Sequence, residues 1–222
     1  MPNTLVAVVA ALALGAAQNP AAVAPLLNPD GPAMNVTAPP EFKVRLETTK
    51  GDVVIEIQRA WAPHGVDRFF NLVRAGYYDD TRITRVVVPK WAQFGIHGDP
   101  RIARLWRDRP IPDDPRLLSN ERGAVAFAFA APNGRTTQVF INLRDNRETH
   151  DKEPFVPFGR VISGMEAVDA WYAGYGENAG SGIRSGKQGP IFEGGNAYLD
   201  REFPGLDSIR RARVVPSAPV SP

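Results

Sequence analysis

From Phe42 the chain alternates between apolar and charged positions, with Phe42, Val44 and Leu46 set against Lys43, Arg45 and Glu47. A period of two puts the apolar three on one face of a strand. Lys50-Gly51-Asp52 supplies a turn and Val53 to Ile57 a returning strand, so the region opens as an antiparallel hairpin. After Pro63 the period changes: Val66, Phe69, Phe70 and Val73 recur at three- and four-residue spacing, which predicts a helix begun by the proline and stopped at Gly76. Residues 82–88, 93–96, 124–130 and 138–143 are short apolar runs separated by Gly, Pro or Asn, as strands of a barrel or sandwich are. Met165, Val168, Trp171 and Tyr172 make a second helical stripe, with Gly174 as its stop. A glycine-rich loop over 174–195 and a last short helix over 196–203, ended by Pro204, complete the reading. No strand-helix-strand rhythm runs through it, so the expected fold class is mainly β.

The ends of the chain carry a different pattern. An apolar run from Leu5 to Ala17 closes on small residues, in the form of a signal-peptide core and cleavage site, although no Lys or Arg precedes it. Thirteen residues are too few to cross a bilayer as a helix, so no stable membrane insertion is expected. The expectation is a signal peptide over 1–17, a flexible Pro- and Ala-rich spacer over 18–40, one domain over 41–215 and a disordered tail over 216–222. The leader implies a periplasmic or secreted protein, with the cytoplasm as the alternative. Composition adds exclusions: the formal net charge of +2 is too small a field to recruit nucleic acid, and with no cysteine there is neither a disulfide framework nor a thiol nucleophile.

Candidate chemistry sits in the short strands. Arg85, Gln93 and Gln138 are polar side chains among apolar neighbours, and burial without partners would be costly. Taken alone, Arg85 reads as a surface arginine closing a salt bridge or as a group in an open groove. Gln93 and Gln138 read as satisfied core amides or groove residues, and Phe140 reads first as core.

In order along the chain stand KGDVVIEI, PHGVDRFFNLVRAGYYDD, ITRVVV, AQFGIHGDP, FAAPNGRTTQVFINL and FGRVISGMEAVDAW. This series, from about 42 to 172, resembles the cyclophilin family of peptidyl-prolyl isomerases, and the stretch EGGNAYLDREFPGLDSIRRARVV is similar to the end of bacterial members. The resemblance implies a closed, antiparallel eight-stranded barrel capped by helices. It also implies cis/trans isomerisation of exposed Xaa-Pro bonds in client proteins, without cofactor or metal; a monomer is expected. Residue by residue, Arg85 matches the catalytic arginine, Gln93 the glutamine that holds arginine and substrate, and Phe140 the floor of the proline pocket. Gln138 belongs to the same QxF segment, and Ala128 and Phe129 match the strand whose backbone pairs with the peptide.

The sequence also departs from the family pattern. Thr84 stands where His or Phe usually precedes the arginine, and the usual PGF reads Val88-Pro89-Lys90-Trp91, so Trp91 takes the place of the pocket phenylalanine by a one-residue shift. His150 stands where leucine is common and Phe155 near a position often held by histidine; both are expected to line the substrate site. The competing function is a proline-peptide-binding scaffold with little turnover. His64, His97 and His150 are too far apart in sequence for a paired-ligand motif, and no metal site is expected.

Overall fold

The computed structural model describes residues 24–180 and 187–215; the expected leader and tail lie outside the described residues. Strands β1 (Glu41–Thr48) and β2 (Gly51–Gln58) form the expected hairpin, pairing Phe42 with Ile57, Val44 with Ile55 and Leu46 with Val53. All six side chains are buried, so alternation alone had placed this face in the core. Helix α1 (Pro63–Arg74) buries Val66, Phe69, Phe70 and Val73. Gly76, at φ +72°, turns the chain out of it, a conformation that costs glycine little.

Beyond α1 come β3 (Thr81–Arg82), β4 (Arg85–Val87), β5 (Trp91–Phe94), α2 (Pro100–Arg107), β6 (Ala124–Phe127) and β7 (Val139–Asn142). They are followed by α3 (Arg147–His150), β8 (Pro157–Ser163), α4 (Met165–Asp169), α5 (Gly189–Glu202) and β9 (Ser208–Val215). The strands join in the order β3-β9-β1-β2-β8-β6-β7-β5-β4, antiparallel throughout.

The closed eight-stranded barrel is corrected by this sheet: it has nine strands among the described residues and is open between β3 and β4. The run over 82–88, expected as one strand, is interrupted at Ile83 and Thr84. Thr81 and Arg82 pair with β9 while Arg85 to Val87 pair with β5. The two sheet edges are therefore joined by covalent chain rather than by a ladder. Helix α2 and strand β9 were not anticipated, and α5 starts inside the segment read as loop. In β9 the arginines Arg210, Arg211 and Arg213 hide the strand signal, although Ile209 and Ala212 are buried and Val214 packs against the core.

Residues 24–40 also correct the spacer. Leu26, Met34 and Ala38 are buried, Trp106 Nε1 donates to the Leu26 carbonyl at 2.9 Å, and Asn71 Nδ2 donates to the Val36 carbonyl at 2.7 Å. The segment is a strap over α1 and α2. Leu26→Ala is expected to cost about 2–5 kcal/mol in urea unfolding, the range for truncating a buried leucine; a change below about 0.5 kcal/mol would return the segment to the status of a loose tether.

Candidate active site

Alternation in the strands builds the site. In β4, β5, β7 and β6 the side chains of Val86, Ala92, Ile141 and Val125 enter the main core. One residue along, Arg85 pairs with Gln93, Gln93 with Phe140 and Phe140 with Ala126, so these four form a row on the opposite face. Phe140 is buried, but in a separate cluster with Ala126 and Ala128, against which Trp91 and Phe155 pack. Phe140 therefore lines a pocket outside the main core.

The pocket, about 330 Å³ in volume, is bounded by Arg85, Trp91, Ala128, Phe129, Phe140, His150 and Phe155 among others. Its rings meet closely, with Phe140 and Phe155 at 5.4 Å and perpendicular, and Trp91 and His150 at 5.2 Å. It has the size and aromatic lining that suit a small ring, and Arg85 and Gln93 are among its polar lining residues.

Those polar groups form a chain. Arg85 Nη1 donates to Gln93 Oε1 at 3.1 Å, and Gln93 Nε2 donates to Gln138 Oε1 at 2.8 Å. Gln138 and Gln188 then exchange amide hydrogen bonds at 2.8 and 3.0 Å. Because guanidinium can only donate, the orientation of Gln93 follows from it. Gln93 is among the residues lining the pocket, whereas Gln138, equally buried, is not and meets Gln93 through its side-chain amide. The Ala128 amide is likewise committed within the sheet, donating to the Gln138 carbonyl at 2.9 Å. Both halves of the Arg85 reading hold together: the residue borders the pocket and also closes an ion pair, with Glu177.

Several supporting residues escaped the sequence reading. Tyr77 and Tyr78 of the GYYD motif donate through their hydroxyls to the Thr137 side chain (3.1 Å) and carbonyl (2.9 Å), which holds the entry to β7 beside Gln138. Three buried asparagines hold the far wall. Asn146 Nδ2 donates to the Lys90 carbonyl and to Asn142 Oδ1, Asn142 Nδ2 donates to Asn120 Oδ1, and Asn120 Nδ2 donates to the Phe155 carbonyl. The available signal was Asn142 itself, an amide closing an apolar strand. Glu177 and Gln188 carried no local signal. His97 is buried away from the pocket, against Tyr77, and burial pushes its imidazole pKa down to about 4. Among the described residues no His, Asp or Glu side chains gather as a metal-binding group.

Comparison with known proteins follows the same lines. The family model described as "Cyclophilin type peptidyl-prolyl cis-trans isomerase/CLD" matches residues 43–183. A peptidyl-prolyl cis-trans isomerase of Streptomyces antibioticus is 34% identical over 138 residues, covering 57% of this chain and 81% of the relative. Peptidyl-prolyl cis-trans isomerase B of Escherichia coli is 32% identical over 134 residues, with coverage of 57% and 81%. In fold, the chain resembles a Cryptosporidium parvum cyclophilin crystallised in the presence of the dipeptide Ala-Pro. The TM-score is 0.58 at 20% identity, over 79% of this chain and 99% of that one.

Proposed function

Since the chain belongs to the cyclophilin-type peptidyl-prolyl cis-trans isomerases, we propose that it turns Xaa-Pro bonds in exposed segments of client proteins, with Arg85 as the catalytic donor and the Phe140 pocket as the seat of the proline ring. The observation that carries this reading is the placement of a guanidinium at the rim of an apolar pocket of ring size.

Rotation about the bond is slow because amide resonance gives the C–N bond double-bond character, with a barrier of roughly 20 kcal/mol. No bond is made or broken, so the chemistry calls for neither nucleophile nor cofactor. As the amide twists, the proline nitrogen becomes pyramidal and its lone pair, no longer delocalised into the carbonyl, is free to accept a hydrogen bond. A fixed N–H donor beside it strengthens its hydrogen bond only in that state, which lowers the barrier rather than tightening ground-state binding. Phe140, Phe155 and Trp91 hold the ring while the preceding carbonyl moves. The apolar run from Leu5 to Ala17 supports a periplasmic or secreted location for this activity.

A protease-coupled or NMR-exchange assay on a set of Xaa-Pro peptides tests the function directly. Catalysis at low enzyme concentration is the expected result; peptide binding without turnover would overturn it in favour of a proline-binding scaffold. Phe140→Ala is expected to lower kcat/KM at least about tenfold and also to cost about 3 kcal/mol, the low end for truncating a buried aromatic, because the ring is buried in a cluster with Ala126 and Ala128. Wild-type kcat/KM in that variant would remove Phe140 from the floor of the site.

A further inference from the structure

Arg85 is held from a side that the sheet does not supply. Its Nε and Nη2 both donate to Glu177 Oε1, the former at 2.9 Å, while Nη1 donates to Gln93 and the guanidinium lies 5.0 Å from the Trp91 ring. We propose that Glu177 is a positioning residue for Arg85, an inference that rests on reading Arg85 as the catalytic arginine. A guanidinium has five N–H donors. Glu177 and Gln93 take three of them, which leaves one on each terminal nitrogen for a twisting amide. With its Nε edge clamped to a carboxylate and its face on an indole, the fork keeps one plane, and the free donors keep one direction. A transition-state donor needs that preorganisation, and a long side chain with several rotatable bonds does not provide it unaided.

The loop bearing Glu177 has its own reason to lie there. A Cβ on Gly180 would stand 2.7 Å from Thr84 Cβ and 2.9 Å from the Thr84 carbonyl oxygen, so the loop backbone is bedded directly on the residue preceding Arg85. The departure at Thr84 thereby acquires a role: a short side chain before the arginine leaves room for the loop, and the loop delivers the carboxylate. At its other end Tyr175 packs edge-on against Tyr172 and Phe203, at 5.0 and 5.2 Å, and its hydroxyl accepts from the Gly205 amide. Glu177 is itself more than half exposed, so as an ion pair alone it would add little to stability. Its effect belongs to catalysis.

The test uses the full chain, with Glu177→Ala, Gly180→Ala and Arg85→Ala, singly and with Glu177→Ala combined with Arg85→Ala. Glu177→Ala is expected to lower kcat about 5- to 10-fold with KM changed less than about twofold and Tm nearly unmoved. In the Arg85→Ala background the same change should alter kcat/KM by less than about twofold, since nothing is left to position. Independently of turnover, the Arg85 Nε–H resonance should exchange slowly with water in the native protein and rapidly in Glu177→Ala, with Gly180→Ala shifted the same way. Unchanged exchange, activity equal to or above wild type in Glu177→Ala, or the same fold-loss in both backgrounds would overturn the proposal. Slow exchange lost on mutation in a protein without isomerase activity would sustain the positioning contact and bring down the catalytic reading instead.

Discussion

Arg85→Ala is expected to lower kcat/KM by at least about tenfold, since a transition-state hydrogen bond worth only about 1.4 kcal/mol already corresponds to that factor, and loss of a preorganised donor can cost more. The same change should cost only about 1–2 kcal/mol of stability. The ion pair to the exposed Glu177 contributes little, and the principal loss is the partner of the buried Gln93 Oε1, which the open pocket lets water replace in part. Arg85→Lys separates geometry from charge. Lysine keeps the positive charge but presents its donors from a single nitrogen, which cannot span Glu177 and Gln93 as the planar fork does. Activity near that of the alanine variant is therefore expected. Full turnover in a folded Arg85→Ala protein would remove the guanidinium from the mechanism, and nearly full turnover in Arg85→Lys would replace the fork with a simple field effect.

For stability the largest effect is expected at Asp114. Its carboxylate and the Arg135 guanidinium are both buried, with Arg135 Nη2 donating to Asp114 Oδ2 at 3.0 Å. The same carboxylate accepts from the amides of His64 and Gly65 at 2.9 Å each, so it also caps the first turn of α1. Asp114→Ala removes the buried carboxylate partner of a buried guanidinium, leaving only the partly exposed Asp113 as counter-charge, and uncaps the helix. The expected loss is about 4–5 kcal/mol, which for a domain of this size lowers Tm by roughly 8–20 °C. Asp113, 3.1 Å from Arg135 Nε but partly exposed, supplies the contrast: Asp113→Ala should cost about 1 kcal/mol. Calorimetry on the two variants decides the matter, and equal shifts would mean that the buried pair has no special weight. Because Arg135 lies in the segment leading to Gln138, Asp114→Ala should also loosen the strand that backs Gln93.

Glu177 and Asp114 belong to one class of residue that chain order concealed. Glu177 reaches Arg85 across 92 positions, and Asp114 reaches His64 across 50. The turn APNGRTTQ reads as solvated polar chain, and nothing in its pattern marks Arg135 as wholly buried. Leu26 and Met34 similarly lack a periodic neighbourhood, and the strap they form is visible only once Trp106 and Asn71 are beside it.

What the sequence by itself determined are the features whose cause is local. Alternation over 42–47 set the register of the first hairpin, three-four spacing set the buried face of α1, and the ordered motifs placed Arg85, Gln93 and Phe140 on strands of one family. Alternation over 138–142 also held the answer for Phe140, since Val139 and Ile141 claim the core and leave the residue between them on the other face. Tertiary structure alone decided the rest. Whether the run after Thr81 is one strand or two depends on which neighbour each half meets, β9 or β5, and that choice belongs to the curl of the sheet. Whether a charge is solvated or paired depends on what folds over it. Period and turn chemistry act within a few residues and can be read in order, whereas partners for buried amides and charges are found only when distant segments close on one another.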